Sequence, residues 1–504
     1  MKKTVKRNIQ RILILILLIS TAPVAGAFDI DHLSTFTKRG MELWHVPGMS
    51  VAVVTKDEVL FQESFGVTAV DQGQAVDEHT LFAIASTTKA MVAAGILMLV
   101  DEDKLSLDDP VTKHIHELRF ENPMLTQQVT VRDLLAHRTG LPGTDFWIFF
   151  QNMPVDEQLL RLQNVPSQAP VRTRLIYQNT MFEIAGLLIE RLGGKPWYDF
   201  LTERLWHPIG MLETYGDRAK GGAKKNRVTP YLYNDDQLTV ANWDFPADHA
   251  SAAGSAWSSI HDMSLWAQFL LNGGVTKKGD RLISEAGIQQ MFEPQQLSSP
   301  ADFYPTTELT RPNWRSYGLA WFQQDFQGRK IDYHTGSLSG LIAIIGLDRA
   351  GDKAVVVLGN RDHAEMRHAL MWDVFDNTEG DQRRDWNQAV YDLYAAQVVK
   401  DEENWLETLG KRIKRTRPSM KSVAYKGRYS NPVLGDITIE GLGPYLTLRT
   451  GQVDFEMRHW HFDSFLVEYK SWNMREFATF NIDPAGHISS LSLFGEVFER
   501  VAAE

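Results

Sequence analysis

Strand-forming patterns fall in two places far apart in the chain, and that separation constrains the fold more than any other feature. Ser50 to Gly66 reads as a β-hairpin: Val51, Val53 and Val54 are β-branched, and Lys56-Asp57-Glu58 supplies the turn. Strand signals return at Tyr317 to Gln323, Ile331 to His334, Leu341 to Leu347 and Ala354 to Leu358. Between them lie a helix from about Ser86 to Glu102 and, from Val111 to about Trp266, helical patterns with long loops at 139–157 and 216–250. A helix from Asp29 to Trp44 precedes the hairpin and ends at a Pro47-Gly48 turn. Strands from both ends of this region share one sheet. The class is therefore α+β: an antiparallel sheet flanked by helices, with a helical subdomain between its strands.

The chain then changes character twice. Asp373 to Arg417 is polar and helical, acidic at 401–403 and basic at Lys411, Arg412, Lys414, Arg415 and Arg417. Such a run reads as a solvated helix end or linker rather than a contact with membrane or nucleic acid. After it come short alternating runs: Ile437-x-Ile439, Leu446-x-Leu448, Phe455-x-Met457, Phe465-x-Val467, and Ile488 with Leu491 and Leu493. Turns at Glu440-Gly441, Thr450-Gly451 and Asp483-Pro484-Ala485-Gly486 separate them, the pattern of a small antiparallel β-barrel. The expected division is a leader at 1–27, a main domain at 28–372, a helical linker at 373–420 and a barrel at 421–504. The barrel is expected to be a separable module that does not supply the chemistry.

The leader reading rests on three parts. Lys2, Lys3, Lys6, Arg7 and Arg11 form a basic start, Ile12 to Ile19 is an apolar run, and Ala25-Gly26-Ala27 offers a cleavage site. The run is too short to span a bilayer, which needs about 20 residues, so the reading is an exported protein, periplasmic or secreted, with no stable membrane insertion. Cleavage removes five positive charges and no negative ones from a net charge of −11, leaving −16. An acidic chain offers no general means of neutralising phosphates, so no nucleic-acid partner is expected. Cysteine is absent, which excludes disulfides, thiolate metal sites and a cysteine nucleophile.

Three short segments can carry chemistry. In Ser86-Thr87-Thr88-Lys89 the serine and lysine lie one turn apart on the same face of a helix start, inside apolar sequence. A serine hydroxyl is a weak nucleophile until a base takes its proton, and a partly desolvated lysine can join that relay. In Tyr177-Gln178-Asn179 the outer side chains point the same way. Tyr177 can accept a proton if nearby cations lower its pKa, and Asn179 can hold a substrate amide. In His334-Thr335-Gly336-Ser337 a strand edge with glycine lets a substrate backbone approach closely, and the Ser337 N–H can donate to an oxyanion opposite that of Ser86.

Taken in order, S-x-x-K, Y-x-N and H-T-G resemble the signature of the serine β-lactamase and penicillin-binding-protein superfamily. The chain is most similar to its class C-like branch, which includes class C β-lactamases, DD-peptidases, D-aminopeptidases and esterases. Leu134-Leu135-Ala136-His137-Arg138-Thr139-Gly140-Leu141-Pro142, Pro208-Ile209-Gly210-Met211 and Ala253-Gly254-Ser255 before Asp262-Met263 agree, so the likeness covers about residues 29–365. From Tyr425-Lys426-Gly427-Arg428-Tyr429 onward the chain resembles the lipocalin-like barrel that some of these hydrolases carry. The resemblance implies a serine hydrolase working through an acyl-enzyme on Ser86. Lys89 and Tyr177 would move the proton, and Asn179, His334, Thr335, Gly336 and Ser337 would bind substrate. No metal or cofactor is implied.

One position departs from the β-lactamases of this branch, which carry lysine where this chain has His334. A neutral histidine weakens the attraction for a substrate carboxylate and shifts the expected substrate towards D-residue peptides or esters. Asp332, two residues earlier on the same strand face, could raise the His334 pKa, and Arg138 or Arg315 could replace the charge. The alternatives are a class C-like β-lactamase and a non-catalytic binder of peptidoglycan fragments. The partner is a small-molecule or peptide substrate, and a homo-oligomer is allowed. Gly48-Met49-Ser50-Val51-Ala52, His459-Trp460-His461-Phe462-Asp463 and His114-x-His116-Glu117 imitate a nucleophile elbow and two metal sites. Each lacks the strand order, domain size or final ligand its motif requires.

Overall fold

The computed structural model describes residues 28–502 apart from 72, 235, 242–250, 379, 442–444, 452 and 470–473. The leader and part of the 216–250 loop lie outside the described residues. Strands from both ends of the main region meet in one eight-stranded sheet. Its order is Val59–Gly66, Gly48–Val54, Lys353–Gly359, Leu341–Asp348, Arg329–Leu338, Phe322–Phe326, Arg315–Tyr317 and Gln296–Leu297. Neighbours run antiparallel, and the early hairpin docks on the late strands with Ser50 opposite Leu358 and Val54 opposite Ala354.

The central strands are apolar at almost every position because both faces are covered. Ala52, Val54, Ala343, Ile345, Val356 and Leu358 face one core, built on the helix Thr88–Asp101 and the helical block. Val51, Val53, Ile342, Ile344, Val355 and Val357 face a second core under the helices Ile30–Trp44 and Met366–Phe375. The first of those helices starts where the Asp29 carboxylate accepts the His32 N–H at 2.9 Å. Thr88–Asp101 is buried from Thr88 to Leu99, as a helix apolar all round must be.

Two expectations change. The strand expected at Tyr317–Gln323 is two strands, Arg315–Tyr317 and Phe322–Phe326, joined by a turn in which the Gly318 N–H donates to Trp321 O at 2.8 Å. Leu319, Ala320 and Trp321 are fully buried, so the turn is apolar and imitates a strand in sequence. The expected loop at 139–157 holds the helix Asp145–Phe149 and the start of a second, Val155–Arg161.

The C-terminal strands close into an eight-stranded barrel, the last pairing with the first through Tyr429 and Arg500. All eleven apolar residues expected to line it lie in its core. So does Phe150, which belongs to the main domain by sequence. The polar stretch before the barrel forms the helix Trp386–Gly410, and Arg412 donates from Nε to Trp460 O at 2.7 Å. Among the described residues no helix is long and apolar enough to cross a membrane.

Candidate active site

Ser86 sits at the mouth of the first core, on a tight turn from the short strand Phe82–Ala83 into the buried helix. Ala85 takes φ +46, a left-handed conformation that is unfavourable for a residue with a Cβ. The Thr87 and Thr88 hydroxyls donate to Ile84 O and Ala85 O, each at 2.7 Å, and hold the turn. Lys89 lies one turn on and is fully buried. Its Nζ is 3.0 Å from Ser86 Oγ, 2.7 Å from Asn179 Oδ1 and 2.6 Å from Ala253 O. Burial pushes its pKa down to about 7, against the fields of Asp145 and Glu183, which act to raise it. A lysine in this state is half neutral near pH 7 and can take a proton from the hydroxyl beside it.

The Tyr177 hydroxyl is hydrogen-bonded to Ser86. Its ring packs 4.2 Å from that of His137, and Lys89 Nζ lies 4.9 Å from the Tyr177 ring centroid. The sequence expectation that cations lower this phenol's pKa is not met: burial raises it well above 10, so the proton stays on the phenol at neutral pH. The loop that presents Tyr177 is tied down by Ile176 N–H to His137 O at 2.9 Å and Arg172 N–H to Arg138 O at 2.7 Å. His137 Nδ1 accepts the Gln178 N–H at 3.1 Å, and burial holds this imidazole well below its usual pKa. Thus Ser86, Lys89, Tyr177 and Asn179 converge on one point from two segments.

The third segment lies alongside them with a different use for its glycine. A Cβ on Gly336 would fall 2.3 Å from Ile84 O, so the close approach there is that of the chain's own backbone, not of a substrate. The strand can press against the Ser86 turn only with glycine at 336. Thr335 Oγ1 contacts the Tyr304 hydroxyl, and Ser337 Oγ accepts from Arg367 at 2.8 Å. Arg367 is buried, its guanidinium paired with both oxygens of Glu365.

A family model described as Beta-lactamase matches residues 33–376. The chain belongs to the beta-lactamase family. A second model, a domain of unknown function (DUF3471), matches residues 411–502, the barrel. The unguisins hydrolase ungD' of Aspergillus campestris is 30% identical over 427 residues, covering 80% of this chain and 76% of that one. The protein flp of Staphylococcus aureus is 22% identical over 66% of this chain and 63% of its own. Among solved structures, the octameric penicillin-binding protein homologue from Pyrococcus abyssi has a TM-score of 0.58 at 19% identity, covering 94% of this chain and 100% of that one. A penicillin-binding protein from Bacillus halodurans has a TM-score of 0.55 at 22% identity, covering 68% of this chain and 99% of that one. At such identities these structures are alike in fold.

Within this family site His334 is held neutral, the state the sequence reading assigns it in the absence of a carboxylate that raises its pKa. Burial and the nearby charge of Lys89 lower its pKa to about 3. Tyr317 OH lies 3.0 Å from Nε2 and Thr335 O lies 2.7 Å from Nδ1, so the neutral ring donates from Nδ1 and accepts at Nε2. Asp332 does not raise it; its carboxylate is held by Gln323 at 2.7 Å and Lys330 at 3.0 Å. Arg138 is bound to Asp133 and Gln295 O and does not replace the charge. The cation that does influence His334 besides Lys89 is Arg367, which sequence reading missed because it lies thirty-three residues downstream on a different element.

The decoys resolve into structure. Ser50 is buried within a strand and shares a hydrogen bond with Ser64. His114 binds Asp109, and Glu117 pairs with Arg191. His461 Nδ1 accepts the Ile413 N–H, and Asp463 accepts from Ser419 and Tyr425. His79, Glu213 and His261 do bring three donor atoms within 4.8 Å of one another. They lie at the surface, with His79 Nδ1 2.9 Å from the Glu213 carboxylate.

Proposed function

We propose that this chain is an exported serine hydrolase that forms an acyl-enzyme on Ser86, acting on peptides with D-residues or on esters. One observation carries the reading: a fully buried lysine with a pKa near 7 sits 3.0 Å from the hydroxyl of the half-buried Ser86. Neutral Lys89 takes the Ser86 proton as Oγ attacks the carbonyl carbon. The N–H groups of Ser86 and Ser337 stabilise the oxyanion. The leaving group departs with a proton passed from Lys89 through the Tyr177 hydroxyl, and water then releases the acyl group. The high pKa of Tyr177 makes it the proton carrier and leaves Lys89 as the base. Kinship with a protein named for hydrolysing unguisins supports a hydrolase over a binder. Labelling by a fluorophosphonate, beside a panel of p-nitrophenyl esters, D-amino acid amides, D-Ala-D-Ala peptides and nitrocefin, tests this reading. An unlabelled, inactive protein would leave the binder.

Two further outcomes follow. The processed protein begins at Phe28, which N-terminal mass spectrometry of the periplasmic or secreted form would read; an intact, membrane-held chain would contradict export. Because His334 is neutral above about pH 3, it cannot serve as a pH-gated anchor for a substrate carboxylate. The turnover ratio of carboxylate-bearing to neutral substrates is expected to stay flat from pH 5.5 to 8, and nitrocefin to be slow beside esters. A ratio that rises towards acid would show His334 taking up a proton in the site.

A further inference from the structure

The helix Asp145–Phe149 joins the candidate active site to the barrel. At its start, Asp145 Oδ1 accepts from Asn179 Nδ2 at 2.9 Å, while Asn179 Oδ1 accepts from Lys89 at 2.7 Å. At its end, the Phe150 ring enters the barrel mouth, 5.4 Å from Phe455 and 5.8 Å from Tyr469. The rim closes around it. Trp147 Nε1 donates to Val433 O at 2.7 Å, and Gln151 Nε2 donates to Leu434 O at 2.6 Å and to Thr450 Oγ1 at 3.1 Å. Gly451, at φ +53, lies so close that a Cβ there would be 2.3 Å from Phe150 O.

A five-residue helix is too short to hold itself in water, so its order must come from what packs on it. Asp145 is a half-buried carboxylate whose pKa desolvation raises, and such a group is best tolerated where its partners are fixed. We propose that the barrel is a positioning element for the catalytic centre: its rim grips Phe146, Trp147, Phe150 and Gln151, and thereby fixes the Asp145 carboxylate that holds Asn179 against Lys89. The barrel still supplies no reacting group, as expected, but on this proposal it is not separable from the working site. That assignment rests on the acyl-enzyme reading above, since it gives the barrel a part in orienting that base.

The test uses full-length protein with paired glycine variants. Gly451→Ala forces the Phe150 carbonyl away from the rim. Gly486→Ala places the same side chain at another left-handed turn of the barrel, φ +86, where nothing lies within 4 Å. Fluorophosphonate labelling of Ser86 is measured from pH 5 to 9. The groups that set its acid limb are Lys89 and its neighbours Asp145, Glu183, His137, His334 and Tyr177. Gly451→Ala is expected to label on the order of ten times more slowly. Its limb should fall to lower pH, as in Asp145→Asn, because both changes take negative charge away from Lys89. Gly486→Ala should match the parent in rate and limb. Equal behaviour of the two glycine variants would overturn the proposal. If circular dichroism shows Gly451→Ala unfolded, Gln151→Ala decides: a parental rate with an unshifted limb overturns it. A parent chain that takes no label at all overturns the acyl-enzyme reading itself, and this proposal with it.

Discussion

Ser86→Ala is expected to lower kcat by three or more orders of magnitude on whichever substrate the parent turns over best. Removing the attacking oxygen removes covalent catalysis outright, and what remains is binding and oxyanion stabilisation. The protein itself should survive the change. Ser86 is half-buried, its hydroxyl meets Lys89 and Tyr177, and the turn is held by Thr87 and Thr88 instead. Lys89→Ala should be comparably damaging, and the double variant little worse than either single one, because the two side chains act as one unit. Intact-mass measurement reads the same event directly: one fluorophosphonate adduct on the parent, none on Ser86→Ala. Full activity in that variant would remove Ser86 from the mechanism.

What the sequence disclosed and what it withheld divide by range. Ser86 and Lys89 were legible because a helix places i and i+3 on one face, and Tyr177 with Asn179 because alternate residues share a direction. The barrel was legible because alternation at period two recurs between turn residues. Asp145 was not legible. It stands in a segment read as a loop, and its meaning comes from Asn179, thirty-four residues away, and from a barrel nearly three hundred residues on. His137 appeared only as part of a longer stretch, since its packing on Tyr177 depends on how two loops meet. Gly336 was recognised as a point of close approach, but the approaching group is Ile84 O, and no local pattern could separate a substrate from the chain's own backbone. His334 reads in sequence as neutral unless a carboxylate such as Asp332 raises its pKa. Its burial, and the cations Lys89 and Arg367 beside it, keep it neutral.

Lys89→Met is expected to abolish turnover and yet to stabilise the protein most at low pH. The folded state holds this amine at about 7, against 10.5 when exposed. Below about pH 7 it is protonated in both states, and the full cost of burying its charge, on the order of several kcal/mol, weighs on the fold. Between about 7 and 10.5 the unfolded chain binds the proton more tightly, so the parent gains stability as pH rises through that window. Methionine fills similar volume without a charge, so its stability lacks this slope. Its loss of the bonds to Asn179 and Ala253 is nearly independent of pH and acts only as an offset. The difference in Tm between variant and parent should therefore be largest at pH 6 and shrink by several degrees at pH 9. The same titration appears in the parent's rate, with kcat/KM rising through about pH 7 as Lys89 becomes a base. A Tm difference that does not change between pH 6 and 9, together with a flat rate profile, would mean that Lys89 stays charged, and the base would have to be sought elsewhere in the site.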